Sequence, residues 1–174
     1  MLGSVLGSLF GRQFTIGELM NIDSGRIGRA SSCSASLQKV YHLVKPEGVL
    51  AKFKSFFSNS PAIKVYHIVL KFKVNSEKGH DHVVFIELDP DFSLSNWQNN
   101  RVKIYCDCSD FKYRSAYILS HRNSLFITQR SSIELGPAVN NAPKKGAKTT
   151  TLCKHSYAAL TWLMNNYSTL MKTV

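Results

Sequence analysis

Acidic residues are scarce in this sequence. It holds 11 Asp and Glu against 22 Lys and Arg, a formal charge of +11. Such a surplus argues against a basic small molecule as partner and suits phosphate or an acidic protein surface. The acids are also unevenly placed: Asp81, Glu87, Asp89 and Asp91 stand together with no base among them, whereas 38–80 and 101–155 are strongly basic. Cysteine is scarce too. Four in 174 residues, with Cys33 alone in a serine-rich stretch, exclude a secreted disulfide scaffold and suit folding in a reducing compartment. No apolar run reaches the roughly 18–20 residues that a membrane-spanning helix needs. The opening MLGSVLGSLFGRQF is apolar but short and lacks a basic leading region, so it does not read as a signal peptide. No Ser-His-Asp ordering and no paired-carboxylate motif stands out. PKKGAKTTT is no phosphate-binding loop either, because Ala147 separates Gly146 from Lys148. An enzyme is not expected.

The length suits one domain with an attached arm. Leu2, Val5, Leu6, Leu9 and Phe10 share one helical face, with Gly3, Gly7 and Gly11 every fourth residue. We expect an arm that packs on a partner or on its own domain. Thr15-Ile16-Gly17-Glu18 has the form of a capping box. The Gly-, Ser- and Arg-rich stretch that follows, to residue 36, reads as a linker. Leu37, Val40, Tyr41 and Val44 then keep helical spacing, as do Leu50, Phe53, Phe56 and Phe57, giving a helical segment over 37–61.

From there the period falls to two. Tyr66, Ile68, Leu70, Phe72 and Val74 alternate with more polar neighbours, and Val83–Leu88 and Arg101–Cys106 supply two further strands. Lys71, Lys73, Arg101 and Lys103 should lie on one sheet face with His67 and Tyr105, a candidate surface for nucleic acid or an acidic partner. Lys144, Lys145 and Lys148 offer the same chemistry on a loop. His80-Asp81-His82 reads as a solvated turn. A short helix should follow Cys108, capped by Ser109 or Asp110, and a longer one should run over 155–171.

The three remaining cysteines form a pattern. Cys106 and Cys108 stand two apart at a strand end, and Cys153 and His155 stand two apart where the last helix begins. Residues two apart on a strand aim at one side. Free N–H groups and the helix dipole stabilise thiolates at a helix start. Thiolate and imidazole are preferred Zn²⁺ ligands, and four of them close a structural site with no position left for a substrate water. Such an ion would tie the third strand to the final helix across a long loop. Ligand identity alone does not separate Zn²⁺ from another soft-ligand metal. A disulfide from Cys153 to Cys106 or Cys108, or plain burial of the thiols in a core, are the competing readings.

C-x-C followed at a distance by C-x-H on a β-β-α frame resembles the SWIM zinc finger, over roughly residues 62–170. The matching residues are Cys106, Cys108, Cys153 and His155, with a spacer longer than the common form. The fuller wording, C-x-C-x-D-F-x-[YF]-R-x-x-Y and then L-C-K-H, is similar to a group of tailed-phage virion structural proteins. The resemblance implies a zinc-binding module for protein or DNA interaction. Its partners would be other virion proteins or copies of itself, and DNA in the alternative reading. No membrane and no small-molecule substrate would be involved. The chain would be found in the host cytoplasm during assembly and then in the virion.

The expectation is an α+β fold. A small antiparallel sheet packs on a C-terminal helix, a SWIM-like zinc site ties the two, and a helical N-terminal extension precedes them. Residues 1–36 would be arm and linker, 37–61 helical, and 62–174 the zinc-binding domain.

Overall fold

The computed structural model describes residues 12–22, 30–44, 66–76, 79–89, 96–128, 131, 135–136, 139 and 151–173. The arm residues Leu2, Val5, Leu6, Leu9 and Phe10, the loop lysines Lys144, Lys145 and Lys148, and positions 45–61 of the expected helical segment lie outside them.

Four strands, β1 (Ser34–Val44), β2 (Tyr66–Asn75), β3 (Asp81–Leu88) and β4 (Val102–Cys106), form one antiparallel sheet in the order β1-β2-β3-β4. Each strand pairs with its neighbour in sequence. The β2–β3 turn closes with Gly79 N–H donating to Ser76 O (2.9 Å), and Gly79 takes φ 72°, where a side chain would be strained.

The helical reading of 37–44 is corrected: these residues are strand β1. Leu37 pairs with Phe72 and Lys39 with the next residue of β2, Lys71, so Gln38 is the extra residue of a bulge. The bulge sets Leu37 and Val40, three residues apart, on the same side, opposite the buried Phe72 and Leu70. A spacing of three is also what a helix face shows, and there lay the ambiguity.

One sheet face carries Leu70, Phe72 and Val74 from β2, Val84, Ile86 and Leu88 from β3, and Val102, Ile104 and Cys106 from β4, all buried. Against it lies α3 (Lys154–Thr173), numbered after α1 (Ile16–Ile22) and α2 (Ala116–His121). Leu160, Leu163, Tyr167 and Leu170 of α3 are buried at spacings of three and four, and Trp162 meets Phe72 edge-on with ring centroids 5.4 Å apart. The core thus lies between this helix and the sheet.

The other face is mixed, not simply basic. Phe85 stacks on Phe126 (5.6 Å between centroids) and tilts against Tyr105 (6.2 Å), which in turn meets Phe111 (5.9 Å). The outer edge of β4 is closed by chain: Ile104 N–H donates to Ser124 O (2.9 Å), Phe126 N–H to Ile104 O (3.0 Å), and Val102 N–H to Phe14 O (3.3 Å). Phe14, Ile16 and Leu19, from the stretch read as arm and linker, join this same core. The capping box of α1 is present. Thr15 N–H donates to Glu18 Oε2 (2.8 Å) and Glu18 N–H to Thr15 Oγ1 (3.2 Å).

Candidate metal centre

The strand end and the helix start meet. The ligand atoms of Cys106, Cys108, Cys153 and His155 lie within 4.8 Å of one another, and all four residues are buried. Cys106 ends β4 on its core face. Asp107 bends the chain, and Cys108 opens the next helical stretch, a π-helical turn over Phe111–Ser115 that runs into α2.

Cys108, not Ser109 or Asp110, supplies the cap there. Phe111 N–H donates to Cys108 Sγ (3.3 Å) and Lys112 N–H to Cys108 O (3.1 Å). Cys153 repeats the arrangement at α3, with Ser156 N–H donating to its Sγ (3.4 Å) and Tyr157 N–H to its O (3.0 Å). Two sulfurs of the centre therefore stand where N-cap oxygens usually do, accepting from the third residue of the turn. Donors at those positions favour the thiolate form. His155 follows within the first turn of α3, its Nδ1 4.0 Å from Cys106 Sγ.

These residues fit a metal. Tetrahedral Zn–S and Zn–N bonds of about 2.3 and 2.0 Å put neighbouring ligand atoms about 3.5–3.8 Å apart. The group needs to contract by no more than about an ångström to reach that geometry. His155 Nε2 is buried with no hydrogen-bond partner among the described residues, an expensive state for a ring nitrogen outside a metal shell.

The thiols tell the same story. Burial pushes the Cys106 thiol well above its ordinary range. At Cys108 the hydrogen bond with Cys106 acts downward, but Cys153 and burial outweigh it and the thiol ends raised. Burial also acts to raise Cys153, yet hydrogen bonds with Cys106, Cys108, His155 and Ser156 overcome it and hold it well below the usual value. One of three crowded thiols can ionise alone, and a divalent cation is what allows the others to follow. All four cysteines are free thiols, so the disulfide alternative is not taken up.

A further pair of residues frames the centre. His82, read from sequence as part of a solvated turn, stacks on His155 with ring centroids 4.1 Å apart and an interplanar angle of 34°. Its Nδ1–H donates to Asp107 Oδ1 (3.0 Å). Strand alternation held the missing signal: His82 lies two residues before Val84, and Val84 pairs with Cys106. His80, by contrast, is exposed.

The candidate contact residues of the sheet do not form one free basic surface. Lys73 Nζ sits 2.6 Å from Asp81 Oδ2. Lys103 Nζ lies 3.3 Å from Glu87 Oε1, which His67 Nδ1 also approaches at 3.0 Å. Glu87 is buried, and with Gln13, His67, Asp89, Lys103 and Asn123 it lines a polar cleft of about 140 Å³. Arg101 is exposed and Lys71 half-buried. Sequence alone does not point to Glu87 as the centre of this group, because only pairing across three strands brings His67 and Lys103 to it.

The words around the ligand motif also have jobs. Asp110 pairs with Arg114, Phe111 is wholly buried beneath the turn, and Tyr117 stacks on His121 at 4.2 Å. The Cys₃His cluster on a mixed fold is the part of the SWIM resemblance that the structure reproduces. Comparison of the chain with protein-family models, with curated proteins and with solved structures finds no match, so the centre is described by its own geometry as a candidate Cys₃His metal site joining a strand end to two helix starts.

Proposed function

We propose that this chain is a non-enzymatic, zinc-stabilised structural protein of a tailed-phage virion that mediates contacts between subunits. The observation that carries the reading is the closed Cys₃His group. Four buried protein ligands leave a metal no position for a substrate water, so the ion serves the fold and the fold serves binding. The resemblance carried by C-D-C-S-D-F-K-Y-R-S-A-Y and L-C-K-H supports the virion assignment, and the spacing of the apolar Leu2, Val5, Leu6, Leu9 and Phe10 in the sequence supports a role in assembly.

Native mass spectrometry with and without a chelator tests the metal. One bound zinc is expected, and its removal by the chelator should loosen the docking of α3. Deleting residues 1–11, short of the buried Phe14, should abolish assembly and leave the metal-binding domain folded; unchanged assembly refutes the structural role.

A second reading is sequence-independent DNA binding. The charge of +11 favours it. So does Tyr113, which is 69% exposed with the Lys112 ammonium 5.9 Å from its ring centroid, a pairing suited to a base and a phosphate. This reading predicts binding that weakens steeply with salt. Charge reversal at Lys71, Lys73, Arg101 and Lys103 should remove it if the sheet face carries the contact, and Lys112→Glu with Tyr113→Ala if the helical turn does.

A further inference from the structure

The bend between Cys106 and Cys108 is held to β3 from three sides. Asp107 N–H donates to Val83 O (3.2 Å), Val83 N–H donates to Asp107 Oδ2 (3.2 Å), and His82 Nδ1–H donates to Asp107 Oδ1 (3.0 Å). A carboxylate that accepts both bonds fixes the His82 ring in rotation and tautomer. That ring then stacks on His155 at 4.1 Å. The side chain of His82 is 24% exposed, whereas His155 is 4% exposed. His82 therefore stands between solvent and one face of the ligand imidazole.

We infer that His82, anchored by Asp107, is a positioning residue that aligns His155 with the three sulfurs and covers the metal centre against exchange with solvent. The inference rests on the metal-centre reading above. Its logic is mechanical. His155 comes from α3, and the sulfurs of Cys106 and Cys108 come from the β4 bend. A contact that spans both helps to register the imidazole against those thiolates before a metal arrives, beside the direct approach of His155 Nδ1 to Cys106 Sγ (4.0 Å). His82 makes such a contact, because its Nδ1–H bonds to the bend and its ring lies against that of His155 in α3. Outer-shell partners that hydrogen-bond a ligand are worth about 10–100-fold in metal affinity, and a ring that fixes a ligand's rotation acts in the same direction. Here the effect should show most in release, since the ring also blocks the path of a competing ligand.

The test uses the full chain loaded with Zn²⁺, and follows transfer of the ion to a chromophoric chelator. The visible spectrum of the Co²⁺-loaded protein reports the ligand set, and far-UV circular dichroism reports the fold. His82→Ala should release Zn²⁺ about tenfold faster or more, with an unchanged metal-bound fold. His82→Phe keeps a ring against His155 without the Asp107 bond, and should fall between His82→Ala and the parent. Asp107→Ala should behave like His82→Phe. If His82→Ala does not fold, the other two variants decide, and parental release rates in both overturn the role. Release from a folded His82→Ala within twofold of the parent overturns it as well, and leaves the metal centre standing. A parent chain that takes up no metal overturns both.

Discussion

At the scale of single residues, the four cysteines divide sharply. Cys33 is half-buried and outside the cluster, whereas Cys106, Cys108 and Cys153 converge on one point. Cys33→Ser should leave metal content and stability nearly unchanged. Cys153→Ser should lose the ion and weaken the cap of α3, so its metal stoichiometry should fall to zero with a loss of helical signal. A serine variant that still binds one zinc as tightly as the parent would show that Cys153 is not a ligand. Thr15 offers a second check. Thr15→Ala removes one arm of the α1 capping box and should cost about 1 kcal/mol in denaturant unfolding. Backbone and side-chain bonds from Thr15, helped by Arg12, hold the Glu18 carboxyl below its ordinary 4.5 against the opposing effect of burial. A lowered folded-state pKa means that this contribution is present above pH 4.5 and is lost as pH falls through the folded value. The gap between parent and Glu18→Gln should therefore shrink below pH 4.5, and a gap that widens in acid contradicts the assignment.

The ligands were legible in the sequence because their signal is local. Two residues of ligand type, two positions apart, at an element boundary suffice to suggest a shared focus. His82 was not legible, since its role exists only once β3 is registered against β4. Glu87 is the same case, with His67 arriving from β2 and Lys103 from β4.

Among elements, the sheet and the last helix followed directly from periods of two and of three to four. Strand β1 did not. A bulge at Gln38 turned a strand's alternation into a spacing of three, and three is the number on which a helix face is recognised. The pairing partner decides between them, and Phe72 is that partner. It faces Leu37 on one side and Val84 on the other, and meets Trp162 of α3 above. Phe72→Ala should cost about 3–5 kcal/mol, because a buried ring is lost where three strands and a helix must collapse to fill the space. A cost under about 1 kcal/mol would mean that β1 and α3 do not share this core.

Among the described residues the sheet is a meander. Every strand neighbour in it is a sequence neighbour, whereas α3 reaches the sheet across the long stretch from 109 to 152, both through the core and through its junction with the β4 bend. Stripping the metal should therefore act unevenly. The sheet should keep its strand signal, α3 should loosen, and dye-binding apolar surface should appear. Circular dichroism with dye fluorescence during titration by a chelator checks this. A single cooperative loss of both helix and strand signals would show that the tie and the sheet are one unit.

The same wiring sets a timetable. Neighbouring strands can find one another by hairpin steps that take microseconds, with little chain to close at each. Docking α3 must wait for a far larger loop. With sulfurs at the start of both flanking helices, capture of the ion is the event that ends this wait. The rate at which the chain matures should thus rise with free zinc up to a plateau set by the sheet itself. Supply of an ion, not search by the backbone, would then govern how quickly each copy completes its fold.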